Sequence, residues 1–417
     1  MMKIDRIEIG EVAIPLRTPF KTASRTVDAV NNILIRIVTD SGTAGYGEAP
    51  PTALITGETK ASIREAIMQY IAPSIIGMEI FDLDTIMQRL HASIVNNTSA
   101  KAAVDMAVYD LYAKTLGQPL YKVLGGAKRK IETAYTISDN PIDEMLRDSM
   151  QAVQDGFSIL NVNVGKQRLK DVDSLLAIRK AVGPGIRIRV EANQGWSPQD
   201  AVRIISLLED KDMQTELVEQ PVKAHDLAGL KFVKQHVQTP IVADESIFSM
   251  KDALHIIQTQ SADLINIKLM KTGGIHEALK ICTVAETYGV DCMIGCMLES
   301  KISVSAAAHL AAAKNCITMV DLIGPSFYKI ESYEGGPLFT GGTIKLGDAN
   351  GIGISAFPKA HFKKLVVIKQ KIFPERSWKG ISMKLREFYV KRAIGFVIVM
   401  LLVLIILLVN KYLLHLF

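Results

Sequence analysis

The chain has little with which to cross-link itself. Its four cysteines, Cys282, Cys292, Cys296 and Cys316, form no CxxC pair, and no secretory signal opens the sequence. Buried free thiols in a reducing compartment are the expectation. Cationic charge is also scarce in the body of the chain. From Lys359 onward there are 12 lysines and arginines against 2 acids, which leaves 36 basic and 41 acidic residues before it, a net of −5. A mildly acidic body gives no sign of a nucleic-acid-binding core. With 48% hydrophobic and 22% charged residues the chain is globular, and its 417 residues suit two or three domains.

Polar residues are absent from one long run. Residues 393–409, "AIGFVIVMLLVLIILLV", carry no charge, which fits a short membrane-spanning helix. Lys384, Arg386, Lys391 and Arg392 precede it, so the positive-inside rule places the body in the cytoplasm. Trp378 and Tyr389 suit the interface, and the basic approach favours anionic lipid. A membrane anchor over 393–417, reached by a basic linker over 357–392, is expected.

The rest is patterned. Residues 3–50 alternate as strands, and "ETKASIREAIMQYIAPSII" and "AKAAVDMAVYDLYAKTLG" follow as helices, giving an α+β module over 1–125. Beyond it, short apolar runs end near Tyr135, Asn161, Glu191, Glu219, Asp244, Lys268, Gly295 and Asp321. The intervals are 26, 30, 28, 25, 24, 27 and 26 residues, each the length of one βα unit. Eight such strands predict an α/β fold, a (β/α)8-type barrel over 126–325 with the α+β module as a capping domain. The turn-rich stretch 326–356 is expected to return to that module.

Barrel residues at the C-terminal strand ends share one mouth. Glu191, Glu219 and Asp244 end strands three, four and five, and adjacent carboxylates repel unless a cation sits among them. An all-oxygen set favours Mg²⁺, with Mn²⁺ the alternative. Lys268 ends strand six inside "LINIKLM", while Lys271 suits the surface. Beside a dication the Lys268 ammonium is pushed toward neutrality, as a base near pH 7 requires. Metal and lysine together suggest removal of a proton α to a carboxylate. Asn161 and Asn163 share a face of strand two, "ILNVNVG", yet a neutral amide has no usable pKa there.

The motifs "YDLYAKTLGQPLYKVLGG", "EANQGW", "VEQP", "ADES", "NIKLMKTGGI" and "GCMLES" resemble the muconate-lactonising subgroup of the enolase superfamily. Within it the likeness is to dipeptide epimerases such as the L-Ala-D/L-Glu epimerases, over residues 3–356. The resemblance implies a capping domain on a barrel, Mg²⁺, and 1,1-proton transfer at the C-terminal residue of a dipeptide. It implies Glu219 and Asp244 as metal ligands and Lys268 as one of two acid/base lysines. Arg25 then lies in a capping loop that sets specificity, and Thr136, Cys296, Met297, Asp321 and Ile323 line the substrate site. Three positions depart from the pattern. Asn161 and Asn163 replace a Lys-x-Lys whose second lysine is the other acid/base. Glu191 replaces an aspartate ligand, and Ile323 replaces the second acid of an Asp-x-Asp that holds the dipeptide's ammonium.

A dipeptide epimerase-like protein with impaired chemistry is therefore expected. The alternatives are a decayed relative that keeps the fold and ligand binding, or one-base exchange or elimination by Lys268. A small dipeptide is the expected ligand, and a capped barrel suits a homo-oligomer. The anchor is open to fractionation. After expression in cells, the full-length protein should pellet with membranes and be released by detergent but not by salt. Recovery in the supernatant would refute it.

Overall fold

In the computed structural model of the chain the residues described are 2–21, 26–127, 130–165, 169–323, 327–329, 333–357 and 362–369. Arg25 and the apolar segment 393–417 lie outside them. Among the described residues no helix is long and apolar enough to cross a membrane.

The N-terminal module is built on three antiparallel strands, β1 (Ile4–Lys21), β2 (Thr26–Thr39) and β3 (Ala44–Ala49). Isoleucine and valine dominate β1 and β2, whose branched side chains fit a pleated surface. From Val12 to Arg17 burial alternates residue by residue, so one face packs inward. Against the sheet, chiefly β3, lies the helix Thr98–Thr115, buried on nearly every side, its Lys101, Asp105 and Asp110 included, because sheet and barrel helices both cover it.

After the short strand β4 (Ile131–Glu132) come the barrel strands. They are β5 (Tyr135–Ile137), β6 (Ile159–Asn163), β7 (Arg187–Glu191), β8 (Thr215–Glu219), β9 (Ile241–Ala243), β10 (Leu264–Lys268), β11 (Cys292–Gly295) and β12 (Ile317–Asp321). They pair in parallel and in sequence order. β5 and β12 meet through one backbone hydrogen bond, Ala134 N–H to Val320 O at 3.2 Å, reinforced by Leu322 N–H to Thr133 Oγ1 at 2.8 Å. Long helices follow β5 to β11, from Ile142–Gln154 to Lys301–Ala313, but among the described residues none follows β12. The expected eighth βα unit thus ends at its strand. The chain continues through β13 (Glu334–Gly335), β14 (Leu338–Thr340), β15 (Thr343–Lys345) and β16 (Ile354–Ala356). There it meets the capping module, where Tyr46 donates to Ser355 O and Lys114 to Ile354 O.

One expectation fails beyond residue 357. Part of the basic stretch read as a linker forms β17 (Phe362–Lys369), which pairs antiparallel with β1 from Arg6 to Val12. Val366 and Ile368 pack on the core while Val367 and Lys369 are exposed, so lysine content had masked a period-two pattern.

Two buried carboxylates of the capping module cap barrel helices. Asp105 accepts from the backbone N–H of Ile275 (2.6 Å) and of His276 (3.2 Å), at the start of helix Ile275–Tyr288. Gly274, at φ +120°, makes room for it, since a Cβ there would lie 2.3 Å from the Asp105 carboxyl carbon. Glu48 accepts from Ser300 N–H (2.7 Å), Ser300 Oγ (2.6 Å) and Ser303 N–H (3.2 Å) at the start of helix Lys301–Ala313. Each places negative charge where a helix dipole and orphan N–H groups favour it. Asp105→Ala should lower unfolding free energy by about 1–3 kcal/mol, the cost of a lost cap and two unmet buried donors. The measurement is the urea midpoint at unchanged slope; an unshifted midpoint would show that water replaces the carboxylate without loss.

Candidate active site

The strand ends converge as the intervals imply. Glu191 and Glu219 close β7 and β8, and Asp244 follows β9. All three are buried, and one carboxylate oxygen from each lies within 4.8 Å of the others. Glu191 accepts from Asn193 N–H at 2.8 Å, and Glu219 accepts from Asn266 Nδ2 at 2.5 Å. Asp244 is held between two lysines, with Lys268 Nζ 2.5 Å from Oδ2 and Lys271 Nζ 2.5 Å from Oδ1. Lys268 also approaches Glu219 Oε1 at 3.8 Å.

Charge and burial compete throughout this cluster. Burial, followed by repulsion from Glu219 and Glu245, pushes the Glu191 carboxyl well above the ordinary carboxylate range. Glu219 and Glu245 are each pushed up to about 7, in both cases chiefly by burial. Burial would raise Asp244 too, but Lys268 and Lys271 outweigh it and hold it at about 2. Burial alone would lower Lys268, whereas Asp244, Glu219, Glu191 and Glu245 hold its ammonium well above the usual value. A dication among these carboxylates would neutralise the groups that hold it there.

The residues present fit such an ion. Buried oxygens of Glu219 (Oε2), Glu245 (Oε2) and Asn193 (Oδ1) have no hydrogen-bond partner. Uncompensated buried oxygen of this kind is what a hard cation satisfies. The protein also invests in positioning them. Asn193, Gln194 and Gln220 adopt φ of +44°, +64° and +36°, in the left-handed region, just beyond the ligand-bearing strands. Gln220 accepts from Asp244 N–H at 2.8 Å and donates to Ser246 Oγ at 2.9 Å, tying the end of β8 to that of β9.

The cluster forms one wall of an open cavity. Thr136, Asn161, Asn163 and Asp321 form the facing wall, with Ile323 beside them. In an eight-stranded ring β6 and β10 are four strands apart, so Asn163 and Lys268 face each other across the mouth. Asn161 donates to Asp321 Oδ2 at 2.8 Å and Thr136 to Oδ1 at 3.2 Å, while Asn163 donates to Ile137 O at 3.3 Å. Burial raises the Asp321 carboxyl, against the donors that ease it. Cys296, Met297 and Leu298 supply an apolar rim from the barrel, and Phe20 and Ile55 complete it from the capping module.

Eleven of the expected site positions thus gather around one mouth; Arg25 lies outside the described residues. Lys271, expected at the surface, is fully buried, because the helical turn Leu269–Thr272 swings it back beneath Asp244. Asn193, Gln220, Glu245 and Asn266 escaped the sequence reading. Glu245 and Asn266 stand beside or two residues before a chosen ligand or base, the one signal that pointed to them. Gly295 clears space for Lys268, whose Cε would lie 2.9 Å from a Cβ there.

The family model "Mandelate racemase / muconate lactonizing enzyme, N-terminal domain" matches residues 5–125. The model "Enolase C-terminal domain-like" matches residues 144–360. An L-Ala-D/L-Glu epimerase of Clostridium acetobutylicum is 51% identical over 353 residues, 85% of this chain and 99% of that one. A hydrophobic dipeptide epimerase of Enterococcus faecalis is 42% identical over 356 residues, 85% of this chain and all of that one. The substrate-liganded L-Ala-D/L-Glu epimerase of Bacillus subtilis superposes with a TM-score of 0.83 at 46% identity, covering 84% of this chain and 98% of that one. An Enterococcus faecalis dipeptide epimerase complexed with Mg and L-Leu-L-Tyr gives 0.81 at 41% identity, covering 85% and 100%. On sequence and fold alike, the chain belongs to the mandelate racemase/muconate lactonizing enzyme family of the enolase superfamily.

Proposed function

We propose that the chain is a dipeptide epimerase-like protein, dependent on Mg²⁺, that abstracts the proton α to the C-terminal carboxylate from one face only. The observation that carries this is the pairing of Lys268 with Asn163 across one cavity. Relatives that are dipeptide epimerases, one of them complexed with Mg and a dipeptide, support the substrate class and the ion.

Glu191, Glu219 and Asp244 would hold the ion, with the free oxygens of Asn193 and Glu245 close at hand. When bound, the ion withdraws charge from the substrate carboxylate and so acidifies the neighbouring C–H. Lys268 takes the proton and can return it to the same face. Lys271 stays fixed under Asp244 and balances its charge. Epimerisation also requires a donor on the opposite face, and Asn163, whose amide N–H is already given to Ile137 O, has no proton to lend at neutral pH. Loss of one general acid/base typically costs on the order of 10²–10⁴ in rate. The remaining function is proton exchange with retention, with inversion slow. The apolar rim and Asp321 border the remainder of the dipeptide.

Exchange in D2O separates the two faces. With Mg²⁺ present, a panel including L-Ala-L-Glu and L-Leu-L-Tyr should take up deuterium at the C-terminal α carbon of one epimer, with chirality kept, and a chelator should stop it. Inversion as fast as exchange would defeat the one-face mechanism, and no exchange on any dipeptide would favour a decayed, ligand-binding relative. Asn161→Lys with Asn163→Lys should accelerate inversion by on the order of 10²–10⁴. A flat response in chiral chromatography would move the defect to Glu191 or Ile323.

A further inference from the structure

The strand face that carries Glu191 into the mouth carries two arginines toward the other end of the barrel. Arg187, Arg189 and Glu191 are spaced by two along β7 and so point to the same side. Barrel interiors are ordinarily filled by aliphatic side chains, and Leu217, Val242 and Leu264 cluster here in that way. Arg189 breaks that rule and is only 1% exposed. A buried guanidinium is costly unless its donors are met.

They are met in part. Nε lies 2.5 Å from Glu216 Oε2, while Nη1 makes only long contacts, to Val320 O at 3.4 Å and Met293 Sδ at 4.0 Å. Among the described residues nothing accepts from Nη2. Arg189 lines an open cavity together with Arg187, Lys130, Glu132, Asn315 and Thr318. Ile159, Arg187 and Ile317, which begin β6, β7 and β12, line it too, so it lies at the barrel end opposite the mouth. Arg187 pairs with Glu132 at 2.6 Å and more loosely with Glu216 at 3.5 Å. Lys130 is exposed and has no ion pair among the described residues. Three cations therefore answer two carboxylates, which leaves the cavity one positive charge and the spare donors of Arg189.

We propose that this cavity binds a small tetrahedral oxyanion, either inorganic phosphate or the phosphate group of a small metabolite. Arginine presents donors in a fixed fork that suits such an anion, and contacts made away from water are the stronger ones. Arg189 gives the buried contact through Nη2. Arg187 and Lys130 close on the anion from the exposed side, and the Thr318 hydroxyl and Asn315 amide supply neutral donors. Four oxygens can use donors from the floor and the rim together, whereas a planar carboxylate with two oxygens uses fewer. Glu132 and Glu216 keep the arginines in place and moderate the affinity by repulsion.

The experiment is isothermal titration of the full-length protein, with a chelator present so that no divalent ion at the mouth can recruit the anion. Inorganic phosphate should bind at one site with a dissociation constant of about 1 mM or below. Acetate at matched ionic strength should bind about tenfold more weakly, as the loss of one charge-assisted contact implies. Lys130→Ala and Arg187→Ala, both at exposed positions, should each weaken phosphate by a similar factor of about ten. Arg189→Met should abolish binding; should that variant unfold, the two rim variants decide the matter. Glycerol 3-phosphate binding more tightly than phosphate would identify a metabolite as the ligand, and equal or weaker binding the free anion. No saturable heat, acetate as good as phosphate, or an unchanged phosphate affinity in either rim variant would overturn the proposal.

Discussion

Concentrated negative charge inside the barrel mouth is the constraint around which this chain is arranged. Glu191, Glu219, Asp244 and Glu245 are all buried, and removing even one carboxylate from water costs several kcal/mol. Two lysines, both drawn to Asp244, answer four acids. The remaining strain is spread over neighbours that would otherwise have no reason for their conformations. Gln220 holds a left-handed backbone so that its side chain can fix Asp244, and Asn266 turns its amide to Glu219. Such a cluster is poorly self-satisfied and well prepared for a dication.

The same economy of buried carboxylates joins the two domains. Asp105 and Glu48 come from the capping module and end on barrel helices, while Asp110 accepts from Tyr46 N–H and Ile352 N–H and from Lys114. These contacts are directional, so they specify the angle at which the module sits on the barrel. The apolar core, continuous from β1 to the barrel helices, supplies attraction but little orientation. Phe20 and Ile55 reach the cavity from the module because that angle is held.

Much of this was legible in the sequence, for stated reasons. Strand ends recurred at nearly constant spacing, and acids at three successive ends had no explanation other than a shared site. Lys271 was misread because one helical turn after Lys268 looks like a solvent face, and only the packed turn shows that it points back under Asp244. In residues 362–369 three lysines outweighed the alternation of Val366 and Ile368 with Val367 and Lys369. Gln220 and Asn193 left no trace at all, since a left-handed backbone at a non-glycine residue is imposed by tertiary contacts.

The seam between β5 and β12 gives Asn161 a second meaning. Main-chain bonding across that seam is sparse, and the side chains of Thr136, Asp321 and Asn161 run along it at the mouth. They act as a clasp on a ring that the backbone leaves nearly open. Chemistry and closure therefore share the same atoms, so a cation introduced at residue 161 alters how firmly the ring is fastened as well as what it can catalyse. The amide at this position is a mechanical part of the barrel as well as part of the cavity wall.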